Sequence, residues 1–414
     1  MKFKINRSYL SNQINKNLKI SSYKNDIPYF NGIYFEVLAN KIIITTSDGI
    51  TSIKNTLNNH FKNIDNYQGS FLVDRKYLSL ILKKIDDLEI EIFNIDNSIS
   101  IKGKNFSSKI NCMDKNSYPK NLFHEENWKY IVTINVSDLY ESIKRCKFLI
   151  NRNEKHSALT GINVQSILDR NQLIFSATDS FRIAQVIKSA KIQGYDLNQQ
   201  LEEFNIIIPF NFIDVLEKLL AENYLNINKN QEIKILFNKN KIQFIQDNIF
   251  NAKKENQILL QSNLINDTFP NTIKMIKTQG SKRNSVVVIK KKFLEKVVER
   301  VSLLANTFDD NIIKINVDET EMKISSTVTE TGQSEEKIMK INKTANSKDT
   351  ENNYYFKGKP QKISINSNYF LNALKAFSEN NKIKLKFFET DQPLILENEN
   401  DQNHIQLILP IQIY

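Results

Sequence analysis

A repeated unit of one strand followed by one helix constrains the fold of this chain more than any other feature. Each copy starts with a short apolar strand, continues into an amphipathic helix and ends in further alternating strands. Ser8, Asp74 and Ser367 are predicted to cap three of the helices, because short oxygen side chains accept hydrogen bonds from the first-turn N–H groups. The unit recurs every ~60 to 85 residues, starting with the strands that contain Ile5, Phe71, Ile134, Ile206, Ile289 and Ile363.

Three domains of two copies each are the simplest grouping of these repeats. A chain of 414 residues corresponds to about three domains of roughly 150 residues. Two aromatic-proline pairs, Tyr118-Pro119 and Phe269-Pro270, stand in loop-like sequence and indicate the boundaries. Residues 344–360, rich in Lys, Asn, Ser and Thr, are predicted to form an inserted loop, and residues 271–284 are read as a connector. We therefore expect an α+β fold with domains at residues 1–125, 126–268 and 269–414.

Lysine and arginine number 57 against 46 acidic residues, which gives a formal net charge of +11. Such an excess indicates a polyanionic partner, but abundant Asn, Lys and Ile are also typical of A+T-rich codons, so the position of the basic residues matters more than their number. No apolar run approaches the ~20 residues of a membrane-spanning helix, and no apolar secretory signal opens the chain. A cytoplasmic protein is expected, with Cys112 and Cys146 as separate reduced thiols.

A polar turn interrupts two apolar strands in the third repeat. Leu173, Phe175 and Ala177 alternate with polar or small residues, Thr178-Asp179-Ser180 has turn chemistry, and apolar residues resume at Phe181. Arg182 lies inside this second apolar run. Taken alone, the stretch predicts two strands, a turn and a surface arginine.

The end of the chain is also unusual, because an apolar strand runs to the last residue. A strand paired into the last sheet is the simplest interpretation. Pro410 cannot donate to a ladder, so Ile411 to Tyr414 should leave that sheet and lie elsewhere.

Together these blocks resemble the bacterial DNA sliding clamp family, the beta subunit of replicative DNA polymerase. The family has Leu-Asn-Gly and Ala-Thr-Asp-Gly-His-Arg-Leu-Ala where this chain has Leu159-Thr160-Gly161 and Ala177 to Ala184, and its chains end in Met-Pro-Met-Arg-Leu where Leu409 to Ile413 stand here. The matching aromatic-proline pairs add to the resemblance. It implies a DNA clamp fold of three similar domains, each of two strand-helix-strands repeats, in a ring-forming homodimer.

The resemblance also implies a hydrophobic groove between the second and third domains that receives partner peptides with spaced apolar side chains. Such a groove of apolar side chains with a few polar groups suits peptide docking. Phe181 and Gln412 replace a histidine and an arginine of the family, so a more apolar groove with different preferences is expected. The implied groove residues are Leu159, Thr178, Ser180, Phe181, Arg182, Ile183, Pro270, Met275, Asn366, Tyr369, Pro393, Ile408, Leu409, Pro410, Ile411, Gln412 and Ile413.

Basic helix residues are the candidates for contact with double-stranded DNA without sequence preference, since phosphate attraction tolerates sliding. A solvated helix face is the alternative for each of them. The candidates are Lys24 in a loop where the family has a basic residue, and Arg75, Lys76, Lys83, Lys144, Arg145, Lys147, Lys292, Lys296 and Arg300 on helices. Ile110, Leu303 and Leu304 are the expected dimer contacts. The implied partners are the replicative polymerase catalytic subunit, a clamp loader and other proteins with clamp-binding motifs.

A nucleic-acid-processing enzyme is the rival class, and it would need clustered carboxylates, a histidine near a nucleophile or a glycine-rich phosphate loop. The four histidines stand apart and no GxGxxG or GxxxxGK is present. Asp86, Asp87, Glu89 and Glu91 are better explained as a solvated turn. No catalytic residue, metal site or cofactor is expected. A DNA-independent protein-interaction scaffold is a second alternative, which would share the groove and lack the DNA contacts.

Overall fold

In a computed structural model, the chain forms two compact units. The first unit contains Met1–Tyr140, Leu168–Asn171 and Ala190–Asn266, and the second contains Glu141–Ile167, Gln172–Ser189 and Asp267–Tyr414. The structure describes residues 1–20, 25–58, 60–64, 68–123, 127–196, 201–226, 231–250, 253–280, 285–305, 311–327, 332–339, 354–388 and 391–412.

The elements mix helices and strands, as an α+β fold requires. The helices are α1 (Arg7–Asn17), α2 (Arg75–Lys84), α3 (Val136–Lys147), α4 (Phe210–Asn226), α5 (Thr272–Gly280), α6 (Lys291–Ser302) and α7 (Ser367–Lys375). The strands of the N-terminal half are β1 (Lys2–Asn6), β2 (Gly32–Val37), β3 (Lys41–Ser47), β4 (Thr51–Asn58), β5 (Phe61–Asn63), β6 (Gly69–Asp74), β7 (Glu89–Ile95), β8 (Ser98–Lys102), β9 (Ser107–Met113), β10 (Tyr130–Asn135), β11 (Gly161–Ile167), β12 (Gln172–Thr178), β13 (Arg182–Ser189) and β14 (Lys191–Gly194). The remaining strands are β15 (Asn205–Pro209), β16 (Glu232–Phe237), β17 (Lys241–Phe250), β18 (Lys253–Asn263), β19 (Ser285–Lys290), β20 (Ile312–Val317), β21 (Glu321–Ser326), β22 (Glu335–Met339), β23 (Tyr354–Lys357), β24 (Gln361–Asn366), β25 (Lys382–Phe387), β26 (Leu394–Asn398) and β27 (Asp401–Ile408).

The repeated strand-to-helix step is confirmed at all six predicted places. In each, the helix begins at the residue after the strand ends, in the pairs β1–α1, β6–α2, β10–α3, β15–α4, β19–α6 and β24–α7. The first unit has a 14-stranded sheet in the order β14-β10-β16-β17-β18-β4-β3-β2-β6-β9-β8-β7-β1-β5. In the second unit, one sheet contains β11-β12-β13-β27-β26-β25-β19-β23 and another is β22-β21-β20-β24. The ladders between these strands are antiparallel.

Helices pack on these sheets with their apolar faces. Leu10 and Ile14 of α1 and Leu78 of α2 are buried against Phe3 and Phe35 in the core of the first unit. The corresponding faces of α6 and α7 fill the core of the second unit. Each fully buried leucine or isoleucine contributes about 1.5–3 kcal/mol, so the helix pairs are held mainly by burial of these stripes.

Two predicted helix caps are wrong and one is confirmed. Asp74 accepts hydrogen bonds from the N–H groups of Lys76 and Tyr77 at 2.8 and 3.2 Å, as predicted. The cap of α1 is Asn6 and not Ser8, because Asn6 precedes the first turn and accepts from the Tyr9 N–H at 3.0 Å. The cap of α7 is likewise Asn366 and not Ser367, because Asn366 accepts from the Tyr369 N–H at 3.0 Å while Ser367 is already helical.

The prediction of a loop at residues 344–360 is wrong for its last part. Tyr354–Lys357 form β23, which pairs with β19, and the Tyr354 hydroxyl donates to the carbonyl of Asp318 at 3.0 Å. The strand has counterparts elsewhere, since β5 flanks β1 and β14 flanks β10 in the same way. The stretch therefore belongs to the repeat, while residues 340–353 lie outside the described residues.

The interpretation of residues 271–284 as a connector overlooked helix α5. Asn271 accepts a hydrogen bond from the Lys274 N–H at 2.9 Å at the start of this helix. Ile276 anchors α5 in a small core with Ile183, Phe388 and Leu407. None of the helices in the described part of the chain combines the length and apolar composition that a membrane crossing requires.

At Ile411 the chain end follows the prediction made from Pro410, while residues 413 and 414 lie outside the described residues. Strand β27 ends at Ile408, and the Ile411 N–H donates to the carbonyl of Ser364 in β24 at 2.8 Å. The tail therefore leaves the ladder of β26 and β27 and lies along another strand.

A candidate peptide groove and basic helix faces

A cavity of about 620 Å³ opens on the second unit beside the polar turn Thr178-Asp179-Ser180. Its walls come from the turn between β12 and β13, from α5, and from residues at the ends of β26 and β27. The cavity is lined by Thr178, Ser180, Phe181, Arg182, Ile183, Pro270, Asn271, Thr272, Lys274, Met275, Thr278, Gln279, Pro393, Leu407 and Leu409. The structure thus brings together residues from three distant parts of the sequence.

Side-chain hydrogen bonds hold the turn in an uncommon conformation. Asp179 Oδ1 accepts from the N–H groups of Phe181 and Arg182 at 3.1 and 2.9 Å. Thr178 Oγ1 accepts from the Ser180 N–H at 3.2 Å and donates to the carbonyl of Arg182 at 2.7 Å. Ser180 has a φ of +73°, in the left-handed region that favours glycine. Serine at this position therefore carries a cost in backbone strain that glycine would avoid.

Arg182 is buried and lines the cavity, so the surface arginine that the stretch predicts when taken alone is wrong. Only 8% of the residue is exposed. Its Nε and one terminal nitrogen donate to Asp179 Oδ2 at 2.9 and 2.6 Å, and its guanidinium carbon lies 3.9 Å from the centre of the Tyr369 ring. The arginine therefore forms a flat, charge-balanced layer behind the turn.

The rim of the cavity is apolar. Phe181, Met275 and Leu409 are 57%, 52% and 40% exposed, respectively. The Leu409 N–H donates to the carbonyl of Phe181 at 2.9 Å, which fixes the start of the tail against the turn. Large apolar side chains that remain exposed around one cavity are typical of a binding surface.

The other predicted groove residues take different positions. Leu159 and Ile408 are buried, with Ile408 in the main core of the second unit. Asn366 caps α7, and Tyr369 contributes through its stacking on Arg182. Pro410 and Ile411 are half-buried and Gln412 is exposed, whereas Ile413 lies outside the described residues.

Sequence reasoning placed Pro270 and Met275 in the groove but missed the other residues of the α5 wall and Leu407. Asn271, Thr272, Lys274, Thr278, Gln279 and Leu407 were not among the predicted residues. The signal that could have found α5 was the three-residue spacing of Ile273 and Ile276 after Asn271, which can cap a helix, because this spacing is typical of a short amphipathic helix.

The predicted DNA-contact residues differ in their accessibility. Lys76, Lys83, Lys144, Lys292 and Lys296 are exposed and Lys147 is half-buried. Arg75 is only 4% exposed, which argues against an extended contact by this side chain. Lys24 lies outside the described residues.

Carboxylates neutralise several of these basic groups. Arg145 pairs with Glu141 at 2.9 Å, and Lys292 approaches Glu379 at 3.7 Å. Arg300 donates to both carboxylate oxygens of Glu336 at 3.0 and 2.6 Å, and this hydrogen bonding raises the pKa of Arg300.

The predicted dimer residues also differ. Leu303, directly after α6, is 70% exposed, and Leu304 is half-buried. Ile110 of β9 packs its side chain into the core of the first unit, so only its backbone is available to a partner.

Reactive side chains do not assemble into a metal site in the part of the chain that the structure describes. Burial raises the pKa of the Cys146 thiol to about 12 and also raises the pKa of Cys112. Burial lowers the pKa of His404, whose ring lies 4.1 Å from that of Phe377. Burial in the protein interior thus accounts for the shifted pKa values of these two thiols and this imidazole.

Comparison with known proteins identifies the family. The family models for the DNA polymerase III beta subunit match as N-terminal domain at residues 1–122, central domain at 133–271 and C-terminal domain at 281–412. A beta sliding clamp of Mycoplasma capricolum is 32% identical over 416 residues, which covers 99% of each chain, and one of Staphylococcus epidermidis is 28% identical over the whole of both chains. The crystal structure of the DNA polymerase sliding clamp from Bacillus subtilis has the same fold, with a TM-score of 0.83 at 23% identity and full coverage of both chains. The chain therefore belongs to the beta sliding clamp family, the non-catalytic processivity factors that form the beta subunit of DNA polymerase III.

Proposed function

We propose that this sliding clamp pairs head to tail with a second copy, closes around double-stranded DNA in the cytoplasm, and tethers other proteins through the groove on its second unit. The tethered proteins would be the replicative polymerase catalytic subunit, the clamp loader and other proteins that carry clamp-binding motifs. The proposed domains are residues 1–125, 126–268 and 269–414. The observation that carries the proposal is a pattern of strand pairing between neighbouring domains. It occurs twice within the chain, and the two strands that would form it a third time do not pair with each other in the described part of one chain.

The two internal occurrences have the same form. Strand β4 follows a turn at Asp48 and pairs with β18, with Ile53 opposite Leu260. Strand β13 follows the turn at Asp179 and pairs with β27, with Ala184 opposite Gln406. In both, the strand after the turn of one proposed domain pairs with the last strand of the next.

The third occurrence would need a second copy of the chain. Strand β22 holds the equivalent place in the last domain and lies at the edge of its sheet. The equivalent last strand is β9, which is paired with β6 only through Cys112 and Met113, among the strands that the structure describes. Two uncovered edges of matching repeats are a template for pairing between subunits. Because β22 is in the last domain and β9 in the first, such pairing joins the end of one copy to the start of the other.

The repeat also predicts the register of this contact. Glu335 has the same position after the β21–β22 turn that Ile53 has after the first turn and Ala184 after the second. Met113 pairs with β6, and Ile265 pairs with β15 in the same way. Counted back along the chain by the same number of residues, Ser108 is the equivalent of Leu260. Glu335 of one copy should therefore lie opposite Ser108 of the other, with the exposed Leu303 beside the junction.

Two cysteines at these positions test the ring directly. Residues opposite each other in antiparallel strands have Cα atoms ~4.5–5.5 Å apart, within the range that a disulfide bridges. Glu335→Cys with Ser108→Cys should give covalent dimers under mild oxidation, whereas either single variant should stay monomeric on a denaturing gel. Absence of crosslinked dimer from the double variant, at concentrations where the wild type is dimeric, would contradict the register.

Retention on DNA tests enclosure. The clamp, placed by a loader on a nicked circular plasmid, should survive a high-salt wash and leave only after the plasmid is cut. Release by salt alone, from intact circles, would identify an ordinary electrostatic binder.

The groove is proposed as the tether because its chemistry fits a peptide with spaced apolar side chains. Phe181, Met275 and Leu409 offer exposed apolar contact, while Thr278 and Gln279 supply polar groups along α5. This division is typical of helix or extended-peptide docking sites, in which apolar anchors supply affinity and polar groups fix orientation.

A further inference from the structure

Helix α5 presents one face to the groove on the second unit. Asn271, Lys274, Met275, Thr278 and Gln279 line the cavity, and intervals of three, four, seven and eight residues from the first of them place the others on one side of a helix. Another side of α5 packs into the small core that the helix shares with β13 and β27. The helix therefore holds a row of polar and apolar groups along the groove.

Lys274 is the charged residue of this row. Its N–H donates to Asn271 Oδ1 at 2.9 Å, and its carbonyl accepts from the Thr278 hydroxyl at 2.8 Å. These bonds fix the backbone of Lys274 at the cavity wall, while its side chain is exposed. Within the described part of the chain, no carboxylate pairs with its ammonium group.

The second positive charge of the groove is already balanced. Arg182 donates to Asp179 Oδ2 at 2.9 and 2.6 Å, and Asp179 Oδ1 accepts from two N–H groups of the turn. So far as the described residues go, no acidic side chain lines the cavity. The groove therefore combines the apolar rim of Phe181, Met275 and Leu409 with one positive charge that the protein itself does not neutralise.

Lys277 provides a matched comparison on the same helix. It is also exposed and, like Lys274, it pairs with no carboxylate among the described residues, but it does not line the cavity. The chain carries a formal net charge of +11, which attracts any acidic molecule weakly. The two lysines therefore separate an effect of charge inside the groove from an effect of overall charge.

We propose that the groove selects partner segments in which an acidic side chain stands beside the spaced apolar ones, and that Lys274 is the residue that recognises this charge. The inference rests on the proposed function, since it names the kind of peptide that the groove tethers. Complementary charges across an interface discriminate between partners and speed association more than they add affinity. Proteins that compete for the groove should therefore be ranked by charge as well as by apolar fit.

Selection of peptides tests which chemistry the groove prefers. Random peptides of about nine residues, long enough for spaced apolar anchors, are displayed on phage and selected on the full-length wild type, Lys274→Glu and Lys277→Glu. We expect spaced apolar residues in every set, with an acidic residue beside them for the wild type and Lys277→Glu and a basic residue at that place for Lys274→Glu. Absence of an acidic preference on the wild type, or the same change of preference in both variants, would overturn the proposal.

Titration of one selected peptide measures the size of the effect. Fluorescence anisotropy compares this peptide with a form in which each acidic side chain is replaced by its amide. We expect the acidic form to bind the wild type about 2- to 5-fold more tightly at low salt, and the two forms to bind nearly equally at ~1 M salt, where the screening length is ~3 Å. Lys274→Gln should abolish the difference at low salt, and Lys277→Gln should preserve it. An equal loss in both variants would assign the preference to overall charge and overturn the role of Lys274.

Failure of this inference and failure of the groove as tether give different results. Phe181→Ala removes the aromatic side chain of the rim, so it should weaken every selected peptide whatever its charge. If no apolar pattern is selected, or if Phe181→Ala binds the selected peptides as the wild type does, the groove is not the peptide site and both proposals are refuted. If the apolar pattern and the effect of Phe181→Ala persist without any preference for charge, the groove stands and only the role of Lys274 is refuted.

Discussion

The turn at Ser47–Ser52 in the first unit and the turn at Thr178–Ile183 in the second have the same backbone and different surroundings. Asp48 Oδ1 accepts from the N–H groups of Ile50 and Thr51 at 2.9 and 2.7 Å, as Asp179 does in its own turn. Gly49 and Ser180, at the same place, have φ of +97° and +73°. The repeat therefore reproduces the turn down to its hydrogen bonds.

The side chains around the two turns differ, and only the second turn lines the cavity described above. Aromatic side chains pack around the first turn, where the rings of Tyr34 and Tyr118 stack at 5.1 Å and a side chain at Gly49 would meet the ring of Phe30 at 3.2 Å. The Thr51 hydroxyl lies 3.2 Å from that of Ser262, which places a small polar contact where the second turn has Arg182. The second turn opens into the groove. The repeated turn thus borders an open cavity where no described side chain fills the space beside it.

The largest expected difference between the turns concerns their aspartates. Asp179→Ala removes the partner of a buried guanidinium, and leaving a buried charge unpaired costs about 3–5 kcal/mol. Asp48→Ala removes turn hydrogen bonds without stranding a charge, and should cost about 1–2 kcal/mol. Native-state hydrogen exchange of the β13 and β4 amides measures the two local free energies separately, which a multidomain unfolding curve does not.

The double variant Asp179→Ala with Arg182→Met is the control for the buried pair. Replacing both charges by apolar groups should restore most of the protection against exchange. If Asp179→Ala costs no more than Asp48→Ala, the ion pair does not distinguish the two turns.

The next largest effect concerns the exposed side chain at the tip of each turn. Phe181→Ala should weaken partner docking by about 1–2 kcal/mol, or roughly 5- to 30-fold, because it removes an aromatic anchor from the groove rim. Ile50→Ala, at the matching tip of the first turn, should leave docking unchanged. The measurement is the clamp concentration required for half-maximal stimulation of the replicative polymerase on a long primed template. Equal effects of the two variants would mean that the groove is not the tether.

Exchanging the residues with positive φ should have smaller effects of opposite sign. Ser180→Gly relieves left-handed strain and should stabilise the second turn by roughly 0.5–1 kcal/mol, while Gly49→Ser should destabilise the first by at least about 1 kcal/mol. The second value includes the approach of the new side chain to Phe30. Hydrogen-exchange rates of the amides that flank each turn report both changes. If Ser180→Gly destabilised the turn, the Ser180 hydroxyl would contribute more to its stability than the backbone strain costs.

The fold was predictable where its signals are periodic and local. The strand-to-helix repeats have apolar spacing that survives without tertiary context, and the turn at Asp179 follows from its oxygen side chains. The burial of Arg182 was not predictable, because it depends on Tyr369 far away in the sequence. Strand β23 was missed because polar residues precede it and its pairing with β19 is non-local. Two predicted helix caps were wrong by one or two residues, because a serine and a nearby asparagine can both accept the first-turn hydrogen bonds.

The last predicted effect concerns the aromatic-proline pairs beside the two turns. Tyr118 stands where the second boundary has Phe269, and both side chains are buried. Burial raises the pKa of Tyr118, and its hydroxyl has no hydrogen-bond partner within the part of the chain that the structure describes. A buried hydroxyl without a partner is destabilising, so Tyr118→Phe should stabilise the first turn by about 1 kcal/mol.

Tyr354→Phe is the matched control and should destabilise the native state around β23 by a similar amount, because the Tyr354 hydroxyl donates to the Asp318 carbonyl at 3.0 Å. Protection of the amides beside each tyrosine against native-state hydrogen exchange should therefore rise in Tyr118→Phe and fall in Tyr354→Phe. A fall in both variants would show that the Tyr118 hydroxyl is satisfied in solution, and that the two boundaries differ in chemistry as well as in packing.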